Sequence, residues 1–272
     1  MKTRFAAKVI VITGASSGIG AEMARQFAGE GARLVLAARD TAKLEAVATE
    51  CRARHADARV VVVPTDVTDE AQCRALIDRT IAEYGQLDVL IVNAGMSMSA
   101  RVDEITDISV FESLMRLNYL GCVWCTVPAL PHLKASRGQI VAISSLAGLT
   151  GVPKRSAYSA SKYALAGFYD SLRIELVSFG ISVTMVHPGF VYSDINLHAL
   201  SADGTPFGER AYRRKSAEVM STSECARQIL NAAASRDREL IMTAKGKIGR
   251  ILKLLSPRFV DYLARRAVET RQ

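Results

Sequence analysis

The sequence predicts an α/β protein with a doubly wound parallel sheet of about seven strands, helices covering both faces. Short apolar, β-rich runs alternate along the chain with longer amphipathic stretches of helical period. The runs are apolar almost throughout rather than at every second residue, which marks strands buried on both faces. A glycine-rich turn, Thr13-Gly14-Ala15-Ser16-Ser17-Gly18-Ile19-Gly20, joins the first run to the first helical stretch. Right-handed crossovers then wind such a sheet in both directions.

The first strand, Val9–Thr13, is β-branched throughout, the residue type that packs well on a pleated surface. It feeds the glycine turn and a helix over Ile19–Glu30. Leu34–Ala37 is the second strand and Lys43–Ala53 the next helix. The four valines of Val60–Val63 form the third strand, followed by a helix over Glu70–Tyr84. Val89–Val92 is the fourth strand, with a long helix over Val110–Leu130. Ile140–Ser144, a helix over Tyr158–Phe179, Val183–Val186, a helix over Ser223–Ala234 and Leu240–Met242 complete the alternation. Ligands of such sheets bind beyond the carboxyl ends of the strands. Every motif below falls at such an end or at the start of the next helix.

At 272 residues, 49% hydrophobic and without low-complexity tracts, the chain reads as one domain over 1–272. Its first residues run at once into the first strand, which leaves no room for a signal peptide. The most apolar long stretch, Leu117 to Leu133, is interrupted by Asn118, Gly121, Pro128, Pro131 and His132, and does not read as a membrane span. Five cysteines, an odd number, argue against a disulfide framework and for a reducing, cytoplasmic setting. Cys122 and Cys125 form a CxxC with no second pair for zinc, so two buried thiols are the plainer reading. His55, His132, His187 and His198 lack ligand spacing, and nothing calls for a metal.

The net charge of +8 is lopsided: from Arg236 onward there are ten basic and four acidic residues. Such a tail suits nucleic acid, an anionic membrane or an acidic partner, and a solvated helix face is the bland alternative. Nucleic acid is set aside, because no binding module and no interleaved aromatics accompany the charge.

The glycine turn has the context a phosphate-binding turn requires. Gly14, Gly18 and Gly20 let the backbone approach a pyrophosphate, and the free amides of the following helix receive its charge. The spacing GxxxGxG differs from GxGxxG, and on its own could be only a tight turn. An acidic residue at the end of the second strand would hold a ribose 2′-hydroxyl. Here Ala38 and Arg39 stand instead, with Lys43 one turn on, and an arginine suits a 2′-phosphate. NADP(H) is therefore favoured over NAD(H), although Asp40 adjoins. Asp66 and Val67 after the third strand are placed to meet an adenine, and Asn93-Ala94-Gly95 after the fourth permits close backbone approach.

Tyr158-Ser159-Ala160-Ser161-Lys162 puts a phenol and an ammonium four residues apart, on one helix face. Free tyrosine ionises near pH ~10, and an adjacent cation favours the phenolate. Ser145 precedes Tyr158 by thirteen positions, with Ser144 beside it.

Together these motifs resemble the short-chain dehydrogenases/reductases, in their branch of about 250 residues. The resemblance covers residues 5 to 195: TGASSGIG (13–20), Asp66, NAG (93–95), Asn118 in NYLG, Ser145 in ISSLAG, YSASK (158–162) and PG (188–189). It implies a Rossmann-like fold and a nicotinamide cofactor touching Ser16, Ser17, Ile19, the three turn glycines, Pro188, Gly189, Val191 and Ser193. It implies further that Tyr158 exchanges a proton with the substrate oxygen and Ser145 positions that oxygen. Lys162 supports Tyr158 and holds ribose hydroxyls, while Asn118 holds a water that passes protons from Lys162 to solvent. Ser17 stands where many NADP-preferring members carry Lys or Arg, so the preference would rest mainly on Arg39.

Family members form dimers or tetramers, often through helices corresponding to Leu114–Leu130 and Tyr158–Phe179. The segment 194–217 corresponds to their substrate lid. The 243–272 extension reads as two helices, Lys245–Leu255 and Pro257–Ala267, with Ser256 as N-cap. Its apolar stripe and basic residues suit a membrane surface, a pocket cover or a subunit contact. It resembles the 11β-hydroxysteroid dehydrogenase-like and 3-ketosphinganine reductase-like groups, which implies a lipophilic ketone or alcohol as substrate. A 3-oxoacyl thioester reductase and a catalytically idle NADP(H)-binding sensor are the alternatives.

Overall fold

A computed structural model of the chain describes residues 3–55, 58–192, 195, 198–208 and 219–269. Seven parallel strands form one sheet: β1 (Val9–Thr13), β2 (Arg33–Ala38), β3 (Arg59–Pro64), β4 (Val89–Val92), β5 (Gln139–Ile143), β6 (Ser182–His187) and β7 (Glu239–Ile241). Their order is β3-β2-β1-β4-β5-β6-β7, so the winding reverses between β1 and β4. The glycine turn leaves the sheet at that crevice, where doubly wound folds bind their ligands.

The helices are α1 (Gly18–Gly29), α2 (Thr41–Arg52), α3 (Glu70–Tyr84), α4 (Ser109–Met115), α5 (Gly121–Ser136), α6 (Ser156–Glu175), α7 (Thr222–Ser235), α8 (Ala244–Leu255) and α9 (Pro257–Glu269). Side chains alternate along each strand. Ile10, Ile12, Leu34 and Leu36 therefore face Met23, Phe27 and Ile229 of α1 and α7. Val11, Val35, Leu90 and Ala142 face Leu76, Cys125 and Tyr169 of α3, α5 and α6. Two buried cores result, one on each side of the sheet.

The long helix expected over Val110–Leu130 is interrupted and longer. Between α4 and α5, Arg116–Leu120 forms a single π-turn in which the Gly121 amide donates to the Arg116 carbonyl. The helix then runs through Pro128 and Pro131 to Ser136, because Ala129 and Leu133 continue its buried face. The catalytic-helix expectation overruns instead: α6 ends at Glu175, and Val177–Phe179 is a separate 3-10 turn closed by Gly180. Cys122 and Cys125 are buried free thiols. Burial pushes Cys122 up to about 11, and hydrogen bonding with Cys73 plus burial pushes Cys125 well above its ordinary value. Among the described residues, no helix is long and apolar enough to cross a membrane.

Candidate active site

The glycine turn is shaped by contacts that admit no side chain. Gly14 has φ +66°, and a Cβ there would stand 2.9 Å from Ala94 Cα. Gly18 also has positive φ. At Gly20 a Cβ would meet the Gly14 carbonyl oxygen at 2.1 Å, so α1 starts flush against the turn. Ser17 is the N-cap of α1 yet its hydroxyl makes no capping bond, and the first turn of α1 carries no acidic side chain. The positive end of the α1 dipole is thus left unneutralised by the helix itself. Ile19 leans on the core beneath.

Asn93 reaches this turn from β4. Its Nδ2 donates to the carbonyls of Thr13 (3.0 Å) and Gly14 (3.2 Å), while the Asn93 and Ala94 amides both donate to Thr13 Oγ1. Asn93 and Thr13 therefore lock the two strand ends that flank the crevice. Sequence reasoning did not single out Thr13, although its place at the end of β1 was a signal. Asp66 accepts from the Thr68 amide and hydroxyl through Oδ1. Val67 turns its side chain into the core under Gly121.

At the end of β2, Asp40 is not directed at the crevice. Its side chain caps α2 by accepting from the Lys43 amide at 3.0 Å, and it pairs with Lys43 Nζ at 3.3 Å. That pairing takes up Asp40, the complication at this corner, and commits Lys43, expected as a supporting cation, to Asp40, leaving exposed Arg39 as the corner's uncommitted cation among the described residues.

The catalytic candidates lie close together around Tyr158. Asn118 sits fully buried in the π-turn, accepts from the Met96 amide at 2.9 Å, and donates to the Met96 carbonyl and to Ser161 Oγ at 3.0 Å each. Ser161 Oγ donates in turn to the Tyr158 carbonyl. Lys162 is only 4% exposed, and its Nζ donates to the Ile143 carbonyl at 2.9 Å. The same Nζ would lie 3.7 Å from a Cβ placed on Gly95 and stands 5.8 Å from the Tyr158 ring centre. Tyr158, 6% exposed, packs with Met98, Val110 and Leu114. Ser161 was quoted in the sequence only as part of a motif; its role as the link between helices appears with the fold.

Ser145 and Ser144 separate cleanly. The Ser144 hydroxyl is buried and would crowd a side chain on Gly148. Ser145 is half-buried, and its hydroxyl accepts from the Ala147 amide at 3.2 Å to start a short 3-10 turn. The turn packs on α6, where a Cβ on Gly148 would be 3.0 Å from the Lys162 carbonyl. From β6, Pro188 accepts from the Leu146 amide, and Gly189 lies against Thr243, its absent Cβ 2.9 Å from Thr243 Cγ2. Val191 pairs with Met220. Ser193 lies outside the described residues, as do 194, 196–197 and 209–217 of the expected lid; residues 198–208 are docked on the Ser97–Asp107 segment through Leu200 and Ala202.

The expected C-terminal helices are present, and α8 is tied to the site. Gly246 fits against Leu146, Arg250 pairs with Glu239, and Lys253 Nζ donates to the Leu149 carbonyl (2.9 Å) and to Tyr163 Oη.

The sequence profile described as short chain dehydrogenase matches residues 8–203. The chain belongs to the short-chain dehydrogenase family. Every catalytic candidate of this dehydrogenase lies inside that match, whereas α7, β7, α8 and α9 lie beyond it. Among curated proteins it is 35% identical over 260 residues to a "dehydrogenase/reductase SDR family protein 7-like" of Dictyostelium discoideum, covering 94% of this chain and 80% of that one. It is 37% identical over 256 residues to an "11-beta-hydroxysteroid dehydrogenase-like 2" of Arabidopsis thaliana, with the same coverages. A solved Burkholderia phymatum short-chain dehydrogenase/reductase in complex with NAD superposes with TM-score 0.81 at 25% identity, covering 94% and 96% of the two chains. An alcohol dehydrogenase of Thermococcus sibiricus, complexed with 5-hydroxy-NADP, shares the fold at TM-score 0.72 and 24% identity, covering 86% and 94%.

Proposed function

We propose that the protein is an NADP(H)-dependent oxidoreductase that interconverts a lipophilic ketone or aldehyde with the corresponding alcohol. One observation carries the reading: Asn118 and Ser161 are hydrogen-bonded to each other and to the Tyr158 main chain, and buried Lys162 stands 5.8 Å from the Tyr158 ring centre, beside the Ser145 turn. Burying an ammonium is costly unless it is hydrogen-bonded, and the Ile143 carbonyl supplies that partner for Lys162.

The dinucleotide supplies or accepts the hydride when bound. Ser16, Ser17 and the amides of Gly18, Ile19 and Gly20 would hold its pyrophosphate, Arg39 its 2′-phosphate, Asp66 and Val67 its adenine. Asn93, Ala94 and Gly95 would line its path, Lys162 its ribose hydroxyls, and Pro188, Gly189, Val191 and Ser193 its nicotinamide. Tyr158 gives a proton to the substrate carbonyl oxygen in reduction and takes it from the alcohol in oxidation. Ser145 donates a hydrogen bond to the same oxygen. Lys162, 5.8 Å from the Tyr158 ring centre, places a cation beside the phenol, and Asn118 holds the water through which that proton returns to solvent. The complexes named for the two structural relatives, one with NAD and one with an NADP derivative, support a nicotinamide cofactor. The hydroxysteroid dehydrogenase names support a lipophilic substrate.

We propose further that the chain is a homodimer or homotetramer, with exposed Val127, Ile174 and Val177 on or next to α5 and α6 as contact groups, and that α8 and α9 rest on an anionic membrane surface. The function is tested by NADPH oxidation with a panel of lipophilic ketones. Tyr158→Phe should lower turnover by a factor of about 10²–10⁴ while NADPH binding persists. Undiminished turnover in that variant would remove Tyr158 as the acid/base.

A further inference from the structure

α8 lies beyond the residues that the family profile matches, yet one of its faces is built against the candidate site. Gly246, Arg250 and Lys253 are spaced i, i+4, i+7, so they share one face of the helix. Each of them meets the turn at 145–149 or a group in contact with it. A Cβ on Gly246 would stand 2.5 Å from Leu146 Cδ2, so the start of α8 approaches the turn as only glycine allows. Leu146 is held from its other side by Gly189, whose absent Cβ lies 3.6 Å from Leu146 Cδ1.

The two cations of that face reach the two ends of the turn. Half-buried Lys253 donates from Nζ to the Leu149 carbonyl at 2.9 Å and to Tyr163 Oη, and Tyr163 directly follows Lys162 on α6. A hydrogen bond from an ammonium is about twice as strong as a neutral one, so Lys253 ties the end of the turn firmly to α6. Arg250 pairs with Glu239, Glu239 Oε1 stands 3.3 Å from His187 Nε2, and His187 Nδ1 stands 3.1 Å from the Ser145 main-chain oxygen. Between these ends the turn orients the Ser145 hydroxyl. Its Oγ accepts from the Ala147 amide at 3.2 Å, which leaves its own hydrogen to donate.

We propose that α8 is a positioning element of the site, with Lys253 as its principal tether. By fixing Leu149 to α6, Lys253 holds the Leu146–Gly148 turn and, with it, the Ser145 hydroxyl in place for the substrate oxygen. This rests on the reading of Ser145 as donor to that oxygen, and adds a residue that acts through Ser145 without touching substrate. Misplacing a reacting group by about 1 Å costs about 10²-fold in rate, so a tether outside the site can govern turnover.

Lys253→Met keeps an unbranched stem and removes the donor. Amide hydrogen exchange over residues 144–150, followed by mass spectrometry, should accelerate about tenfold in this variant, with exchange over 13–20 unchanged. Turnover of the panel ketone that the unaltered protein reduces fastest should fall about 10–100-fold, with NADPH affinity retained. Lys253→Arg, which keeps a charged donor, should restore most of both. In a Ser145→Ala background, Lys253→Met should add little further loss, because both changes remove the same placed hydroxyl. Thermal unfolding checks that each variant folds; if Lys253→Met does not, Lys253→Leu carries the same prediction. The proposal is overturned by unchanged exchange over 144–150, by equal acceleration over 13–20, by unchanged turnover in the folded variant, or by losses that multiply in the double variant. If Ser145→Ala alone turns over normally, the reading of Ser145 itself has failed, which is a separate result.

Discussion

His187 Nδ1 stands 3.1 Å from the main-chain oxygen of Ser145, so an imidazole at the end of β6 holds the backbone of the candidate substrate-positioning serine. A carbonyl can only accept, so Nδ1 carries the hydrogen. Nε2 faces Glu239 Oε1 at 3.3 Å, and Glu239 pairs with Arg250 of α8. The ring is 2% exposed. Burial holds its proton affinity below the ordinary histidine range, against the opposing effects of the Ser145 carbonyl, Glu239 and Asp170, with Arg250 acting alongside burial.

The sign of the consequence follows from linkage. An unfolded histidine takes up a proton near pH ~6.5, and the buried ring resists it. Below that pH the unfolded state binds more protons, so stability falls as pH drops; above it, His187 contributes no slope. His187→Gln should flatten this part of the stability profile, measured by denaturant unfolding at stepped pH. Repeating the comparison in a Glu239→Gln background, which removes the carboxylate facing the ring, isolates His187. An unchanged slope would mean that His187 protonates freely in the native state.

Gly20→Ala should be severe despite its small size. The added methyl would sit 2.1 Å from the Gly14 carbonyl and 2.7 Å from Asn93 Nδ2, so the turn, the start of α1 or the Asn93 lock must move. A cost of about 1–3 kcal/mol in folding stability is expected, together with loss of NADPH binding. Gly29→Ala is the control: nothing lies within 4 Å of its Cβ position, and a change within about 1 kcal/mol is expected. Denaturant midpoints and nicotinamide fluorescence read the two effects.

The strands and the glycine turn were legible because each depends on local pattern: apolar runs without alternation, and glycines at a strand-to-helix corner. Tyr158 and Lys162 were legible for the same reason, a fixed helical spacing. The π-turn that carries Asn118 was not, since one extra residue in a helical turn leaves the apolar pattern of Val110–Leu130 almost intact. Nor was the Ser145–His187–Glu239–Arg250 chain, whose members come from four separate elements and meet only when β5, β6 and β7 pair. Asp40 is the instructive ambiguity. Its sequence position fits a ribose ligand or an N-cap equally, and the Lys43 amide claims it as a cap.

That assignment makes Arg39 a sharp test of cofactor choice. With Asp40 and Lys43 paired to each other, Arg39 is the exposed cation left to meet a 2′-phosphate at the end of β2. Arg39→Ala should weaken NADPH binding at least tenfold, about 1.4 kcal/mol, and leave NADH binding nearly unchanged. Fluorescence titration of both cofactors measures it. Equal effects on the two would move the determinant elsewhere on the turn, with Ser17 the next residue to examine.

The outer face of the C-terminal helices gives the remaining prediction. Arg250 and Lys253 are turned inward, to Glu239 and to Leu149 and Tyr163, so α8 is fixed on the body of the protein. Ile251, Leu254 and Leu255 remain exposed, Leu254 at 82%, and Phe259, Tyr262 and Leu263 of α9 are exposed as well. Lys245, Lys247, Arg258, Arg265 and Arg266 supply positive charge around this stripe. Exposed apolar residues and cations on the same two helices suit an anionic lipid surface, where apolar insertion and charge attraction add. The protein should co-sediment with phosphatidylserine-containing vesicles at low salt, less so at high salt, and weakly with neutral vesicles. A paired Ile251→Glu and Leu254→Glu substitution should abolish the binding with NADPH affinity retained, because neither residue approaches the glycine turn. Full recovery of the unaltered protein in the supernatant at low salt would exclude the membrane, and concentration-dependent self-association lost in the same variant would assign the stripe to a second copy of the chain.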